Sequence, residues 1–279
     1  MPAPSPLGLP AQRVQTVVGA LAVYDSGPPQ GDDTARVLVL WPSILADHSM
    51  YRAQLAAWKP RHRVILIDGP GHGASGPAPG PFRLADCAKA QAQILDRLGV
   101  GQPVVSIGTS WGGLVAGEFA LSYPQRTAGV ALLNTPVFAS EGGFGEHFVA
   151  WGARWIHGMD LYIDGVARSF FLPETRARGG QVLDDFRAQL RRANGAALAT
   201  AVRSVLIERE PLAPRMAQIQ APALVVAGDR DTMYPAARLR DAASSLPDGR
   251  FVTLPSAHIS VVDAPRETTE TIDDFLNRL

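Results

Sequence analysis

Five short apolar runs, broken only by Ser106, constrain this chain more than any other feature: Val37-Leu38-Val39-Leu40-Trp41, Val64-Ile65-Leu66-Ile67, Val104-Val105-Ser106-Ile107, Val130-Ala131-Leu132-Leu133 and Ala223-Leu224-Val225-Val226-Ala227. They lack the polar alternation of a half-exposed strand, so they read as parallel strands covered on both faces. Val14–Val18 and Leu21–Tyr24 add two short strands before them, and Phe251–Leu254 adds one after, for eight in all. Helical patterns fall between the runs, at Tyr51–Lys59, Leu84–Leu98 with Gly99 as its stop, Ser110–Ser122 ended by Pro124, and Ala236–Leu246. This alternation specifies an α/β fold with a mostly parallel eight-stranded sheet and helices on both faces. Residues 135–215 break it: they hold no β-run and are helix-forming, arginine-rich and aromatic. They read as a helical lid inserted into a core made of residues 1–134 and 216–279. The proline-rich residues before about Gln12 read as a frayed tail.

Lys plus Arg and Asp plus Glu both number 26 in the 279 residues, so no net field favours nucleic acid or an anionic membrane. The expected partner is a small, neutral or modestly charged molecule; no pattern speaks to oligomeric state. The single cysteine, Cys87, excludes an intrachain disulfide. The start, Met1-Pro2-Ala3-Pro4-Ser5-Pro6, has neither a basic nor an apolar leader region, and no stretch reaches the length of a membrane span. A cytoplasmic location is the expectation.

After the run ending at Ile107 the chain reads Gly108-Thr109-Ser110-Trp111-Gly112-Gly113 and enters a good helix. A strand, Gly-x-Ser-x-Gly, and a helix in that order suit a nucleophile held at the apex of a sharp turn, where tiny neighbours make room for a strained backbone. The helix start aims N–H groups and its positive dipole end at any oxyanion formed beside Ser110. The competing reading makes Ser110 a plain helix N-cap.

A serine nucleophile needs a base within hydrogen-bond reach and a third group to orient that base. In this strand–turn–helix arrangement the chain order is nucleophile, acid, histidine. Of the six histidines only His258 follows the whole sheet; His48, His62, His147 and His157 are expected on the surface or in the lid. The acid should follow the run Leu224–Ala227, where Asp229 and Asp231 compete. Asp231, further into the loop, is preferred over Asp229 at the turn, and Asn134 is an uncharged substitute. For an oxyanion the candidate donors are the N–H groups of Trp111 and Ile44, with Ser43 the neighbouring alternative to Ile44. Gly71-His72-Gly73-Ala74-Ser75-Gly76 matches a dinucleotide-binding pattern, yet Pro77-Ala78-Pro79-Gly80-Pro81 follows where a helix should open. It is read as a loop under the site, with His72 structural. No His/Cys spacing suggests a metal, and no cofactor is expected.

Asp68-Gly69-Pro70-Gly71-His72-Gly73-Ala74-Ser75, the Ser110 turn, Gly228-Asp229-Arg230-Asp231 with Pro235, and His258 with Pro265 together resemble the α/β-hydrolase superfamily over nearly the full chain. Within it the sequence is similar to the 3-oxoadipate enol-lactonase and small-carboxylesterase branch. Pro42-Ser43-Ile44-Leu45-Ala46-Asp47 resembles that branch's Asn-Ser-Leu-Gly-Thr-Asp loop, and Trp151-Gly152-Ala153-Arg154, Gly158-Met159 and Arg168-Ser169-Phe170 resemble lid motifs. The resemblance implies substrate-binding roles for Trp151 and Arg154. Pro42, Leu45, Thr109 and Ala257 depart from the branch.

The lid aromatics Phe138, Phe144, Phe148, Trp151, Trp155, Tyr162, Phe170 and Phe171 are expected mostly as lid core, with one or two facing Ser110. One lid arginine turned inward would select an anionic ester. The leading expectation is hydrolysis of a small carboxylic ester or lactone through an acyl-enzyme on Ser110. The alternatives are carbon–carbon bond hydrolysis or perhydrolysis with the same residues and, from another class, a catalytically silent ligand binder.

Overall fold

The computed structural model describes residues 5–29, 35–140 and 143–279. Eight strands form one sheet: β1 (Ala11–Thr16), β2 (Gly19–Asp25), β3 (Val37–Trp41), β4 (Arg63–Ile67), β5 (Val104–Thr109), β6 (Thr127–Leu133), β7 (Ala223–Gly228) and β8 (Gly249–Leu254). Their order is β1-β2-β4-β3-β5-β6-β7-β8; β1 and β2 run antiparallel to their neighbours and the rest are parallel. The apolar runs without alternation have the expected cause, since β3, β5 and β7 are buried along their whole length.

Helices α1 (Arg52–Trp58), α2 (Leu84–Arg97) and α3 (Trp111–Ser122) connect the central strands. Between β6 and β7 stand α4 (Phe144–Trp155), α5 (Asp160–Phe170), α6 (Pro173–Arg178), α7 (Gln181–Arg192) and α8 (Gly195–Val202), followed by a π-helical turn at Arg203–Ile207. Helix α9 (Ala236–Ala243) precedes β8. The chain ends in α10 (Ser260–Asp263) and α11 (Pro265–Leu276), which the apolar pattern did not announce. Among the described residues no helix is long and apolar enough to cross a membrane.

The connectivity positions the site. Strand β3 lies between β4 and β5; the chain passes from β3 to β4 on one side and from β5 to β6 on the other, and at such a reversal a crevice opens beyond the strand ends. Trp41 is level with Gly108, Thr109 with Leu133, and Leu133 with Val226, which gathers the loops after β3, β5, β6 and β7 at one edge. Among the described residues three non-glycine residues hold positive φ, and all three sit there: Leu45 (62°) after β3, Ser110 (55°) after β5 and Asn134 (48°) after β6. Asn134 is fastened in place, its N–H donating to Val226 O and its side-chain amide to Ala257 O.

Two expectations are corrected. Of the proline-rich tail, residues 1–4 lie outside the described residues, but Ser5 and Leu9 are buried and β1 starts at Ala11. The segment is held because Ser5 Oγ hydrogen-bonds His48 Nε2 at 2.7 Å. His48 is accordingly no surface histidine: it is buried, its ring stacks on Tyr24 at 3.7 Å, and its Nδ1–H donates to Asp68 Oδ1 at 2.9 Å. Asp68 also accepts the N–H groups of His48 and Ala74 and the hydroxyl of Tyr24.

Burial pushes the Asp68 carboxyl up, but His48 and these hydrogen bonds outweigh it and hold its pKa below the ordinary value. Burial likewise opposes the charge on His48, and Asp68 outweighs it, so the His48 pKa is raised. The raised value makes the His48 contribution to stability complete below about pH 6.5, the unfolded value, and lost as pH climbs through the folded value. The Asp68 contribution has the opposite dependence, present above about pH 3.9 and lost on acidification through its lowered pKa. Urea unfolding should therefore show the stability gap between wild type and His48→Asn narrowing above about pH 6.5. Asp68→Ala, which strands a buried histidine, should cost about 3–5 kcal/mol at neutral pH.

Candidate active site

At the end of β5 the backbone turns at Ser110, with φ 55° and ψ −113°, and α3 begins one residue later. Ser110 N–H donates to Leu133 O, its carbonyl accepts the N–H groups of Gly113 and Leu114, and Gly112 N–H donates to Pro42 O at 3.1 Å. The glycines are required by contact. A Cβ on Gly108 would lie 1.9 Å from the Gly112 carbonyl carbon, and one on Gly112 would lie 2.0 Å from Trp41 O. Ser110 occupies the N-cap position of α3, but its side chain makes no capping bond.

That hydroxyl meets His258 Nε2 at 2.8 Å, and His258 Nδ1–H donates to Asp231 Oδ2 at 2.8 Å. The Asp231 partner leaves Nε2 as the acceptor toward Ser110. Asp231 Oδ1 takes the N–H groups of Met233 and Tyr234, so the loop after β7 fixes the carboxylate from behind. The rings of Phe170 and Tyr234 lie 5.5 Å and 5.3 Å from the His258 ring. All three residues are buried, whereas Asp229 is exposed.

The loop after β3 lies beside this run. Leu45 N–H donates to His72 Nε2 at 3.0 Å, Ser43 N–H to Met50 Sδ at 3.4 Å, and Leu45 O accepts from Gln189 Nε2 of α7 at 2.6 Å. His72 Nδ1–H donates to Pro70 O, and burial pulls the His72 pKa down to about 4, which keeps the imidazole neutral and able to accept. No acceptor among the described residues takes the N–H of Ile44 or of Trp111. Beneath the turn, Tyr51 O–H donates to Trp41 O at 2.6 Å and meets Thr109 Oγ1 at 2.9 Å.

Ser110 and His258 open onto a cavity of about 480 Å³, walled mainly by Ile44, Leu45, Phe148, Val149, Tyr162 and Phe170. The Tyr162 hydroxyl is already committed to Val149 O. Among the described residues that line the cavity, Arg168, an exposed side chain, is the one arginine, and no lysine or carboxylate joins it. Helices α4 and α5 supply much of the wall, and the insertion is tied to the histidine loop: Ile259 N–H donates to Phe170 O, and Asp263 accepts the N–H groups of Leu172 and Ala257.

Trp151 and Arg154, the residues implied to bind substrate, do not line this cavity. Trp151 stacks on Phe148, and Arg154 lies over the Trp155 ring. Helix α4 turns Gly145, Phe148 and Val149 toward the cavity, with Ile156 just past its end, and at 100° per residue positions 151 and 154 fall on other faces. The aromatic expectation is also corrected: Tyr162, Phe170 and Phe171 are buried, but Phe144, Phe148, Trp151 and Trp155 are exposed. Tyr51, Gln189 and Tyr234 escaped the sequence reading because their contacts bridge distant segments. Among the described residues no group of three or more His, Cys, Asp or Glu converges as a metal site.

A mostly parallel sheet, a serine at a strained strand-to-helix turn and a helical insertion over the strand ends define the class. The chain belongs to the α/β-hydrolase-fold family, whose pattern matches residues 36–265. It is 25% identical over 245 residues to 3-oxoadipate enol-lactonase 2 of Acinetobacter baylyi, covering 86% of this chain and 88% of that protein. Among solved structures, a hydrolase from Pseudomonas aeruginosa PA01 superposes with a TM-score of 0.85 at 31% identity, covering 95% of this chain and 98% of the other. The enol-lactonase of Burkholderia xenovorans LB400 superposes with a TM-score of 0.87 at 27% identity, covering 95% and 100%.

The glycine contacts give a direct test of the turn. Gly112→Ala should cost about 3 kcal/mol or more in urea unfolding, because the atom it meets is backbone and cannot rotate away. Gly101→Ala, where a Cβ has open space, should stay within about 0.5 kcal/mol of wild type.

Proposed function

We propose that this protein is a serine hydrolase of carboxylic esters or lactones, acting through an acyl-enzyme on Ser110. The observation that carries the reading is the hydrogen-bonded run Ser110–His258–Asp231, at 2.8 Å and 2.8 Å, opening onto an apolar cavity beside two unpaired N–H groups. The likeness to enol-lactonases supports the same class of bond.

Ser110 Oγ attacks the carbonyl carbon while His258 Nε2 takes the hydroxyl proton; Asp231 holds the ring and stabilises its positive charge. The tetrahedral oxyanion takes hydrogen bonds from the N–H groups of Ile44 and Trp111, an interaction worth about 2.7–4 kcal/mol of barrier per donor. Collapse breaks the bond to the alkoxy oxygen, which leaves with the proton from His258. Water then attacks the acyl-enzyme with His258 again as base and frees the acid. A lactone follows the same steps, its alcohol and acid remaining in one product.

The insertion at 135–215 serves as the lid of this site, its apolar wall receiving the carbon skeleton of the substrate.

A panel of p-nitrophenyl butyrate and simple lactones should be hydrolysed by wild type. Ser110→Ala should lose roughly 10³-fold or more in kcat/KM and all labelling by a fluorophosphonate. A wild type that resists the reagent, or a Ser110→Ala variant that is labelled equally, would overturn the assignment.

A further inference from the structure

Among the described residues, most of the large apolar side chains left in water lie in one place. Phe144, Phe148, Trp151 and Trp155, at successive spacings of four, three and four, make one stripe along α4, with Phe144 86% and Trp155 66% exposed. Their rings stack along the helix, Phe144 on Phe148 at 6.3 Å and Phe148 on Trp151 at 5.9 Å. Met159 and Leu161 extend the surface, Leu161 being 71% exposed. The inner face of α4 is made of small residues, Ala150, Gly152 and Ala153, and a Cβ on Gly152 would lie 2.4 Å from the Tyr162 ring. Close packing thus takes up the small side and leaves the aromatic side outward.

Phe148, Leu161 and Met233 belong both to this surface and to the wall of the cavity holding Ser110. The apolar surface therefore runs without a break into the candidate active site. A contiguous patch of this kind marks an interaction site, and its position decides among partners. A second copy or another protein seated on the stripe would cover those three residues and close the entrance. A surface that itself contains the substrate would deliver it.

We propose that the α4 face docks on a lipid–water interface, from which an ester with an apolar acyl or alcohol part passes directly into the cavity; the second clause rests on the ester-hydrolase reading. Tryptophan and phenylalanine suit the boundary between headgroup and hydrocarbon, and Arg154 and His147, next to the stripe on the helix, can remain at headgroup level. The zero net charge of the chain directs docking to a zwitterionic or uncharged surface, held by apolar insertion rather than by a field.

The test uses the full chain, phosphatidylcholine vesicles and Phe144→Ser/Trp155→Ser, two positions outside the cavity wall. Wild type should cosediment with the vesicles and shift its tryptophan emission to the blue. The double variant should partition roughly tenfold or more weakly, the loss expected for two withdrawn aromatic side chains. On monomeric p-nitrophenyl butyrate its kcat/KM should equal that of wild type. Above the aggregation concentration of a long-chain p-nitrophenyl ester, wild type alone should accelerate.

Absence of vesicle binding by wild type overturns the docking proposal whatever the catalytic result. Sedimentation equilibrium showing a wild-type dimer that the double variant dissolves would also overturn it, in favour of a second copy. Failure to hydrolyse any ester, with vesicle binding intact, would sink the hydrolase reading and leave the docking surface standing.

Discussion

Strand β5 ends in a turn that neither a helix nor a strand would adopt, and the surrounding architecture follows from holding it. A serine at φ 55° and ψ −113° costs on the order of 1–3 kcal/mol. The strain persists because neighbouring backbone leaves no other path: Ser110 N–H is taken by Leu133, Gly112 N–H by Pro42, and a Cβ on Gly108 or Gly112 would collide with backbone. Helix α3, buried over nearly its whole length, keeps the turn from relaxing. Leu45 and Asn134, the other two described non-glycine residues at positive φ, flank it at the ends of β3 and β6. Backbone strain is concentrated at this edge of the sheet, where the Ser110 hydroxyl faces the cavity and the N–H groups of Ile44 and Trp111 have no acceptor among the described residues.

The chain contains two runs of the same chemistry. Ser110, His258 and Asp231 connect at 2.8 Å and 2.8 Å, and Ser5, His48 and Asp68 at 2.7 Å and 2.9 Å. Distances do not tell them apart; surroundings do. Ser5 Oγ also accepts the N–H of Leu7, the His48 ring is covered by Tyr24, and none of these residues lines the cavity. That run ties the start of the chain to the loop following β3. Ser110 has free space above it and two unpaired donors beside it, which is what a reacting carbonyl requires.

The insertion holds the site from the other side. Gln189 fastens the carbonyl of Leu45, Asp263 links Leu172 to Ala257, and the carbonyl of Phe170 takes the N–H after His258. Two of the loops that carry the site are thus bonded to the helices that cover it. Displacing α7 would loosen the Leu45 peptide, so the covering helices and the loop after β3 are mechanically connected.

Much of this was legible in the order of residues, because the signals are local. Apolar runs without polar alternation specify buried parallel strands, and a serine between two glycines after such a run specifies a tight turn into a helix. The positions of Asp231 and His258 after their strands followed from chain order. Helix phase and long-range pairing were not legible. Trp151 and Arg154 stand in a segment that resembles a lid motif of the enol-lactonase branch, yet Gly152 and Ala153 seat α4 so closely on its neighbours that neither residue lines the cavity, while Arg168 does. His48 reads as a surface histidine until Ser5 and Asp68, forty-three and twenty residues away, close around it. Sequence alone determined the sheet and the residues that turn the chain at its edge, since adjacent side chains govern both. Which side chains face the cavity, and which apolar surface stays in water, was decided only when separate helices packed, because that choice depends on the shapes of surfaces distant in the chain.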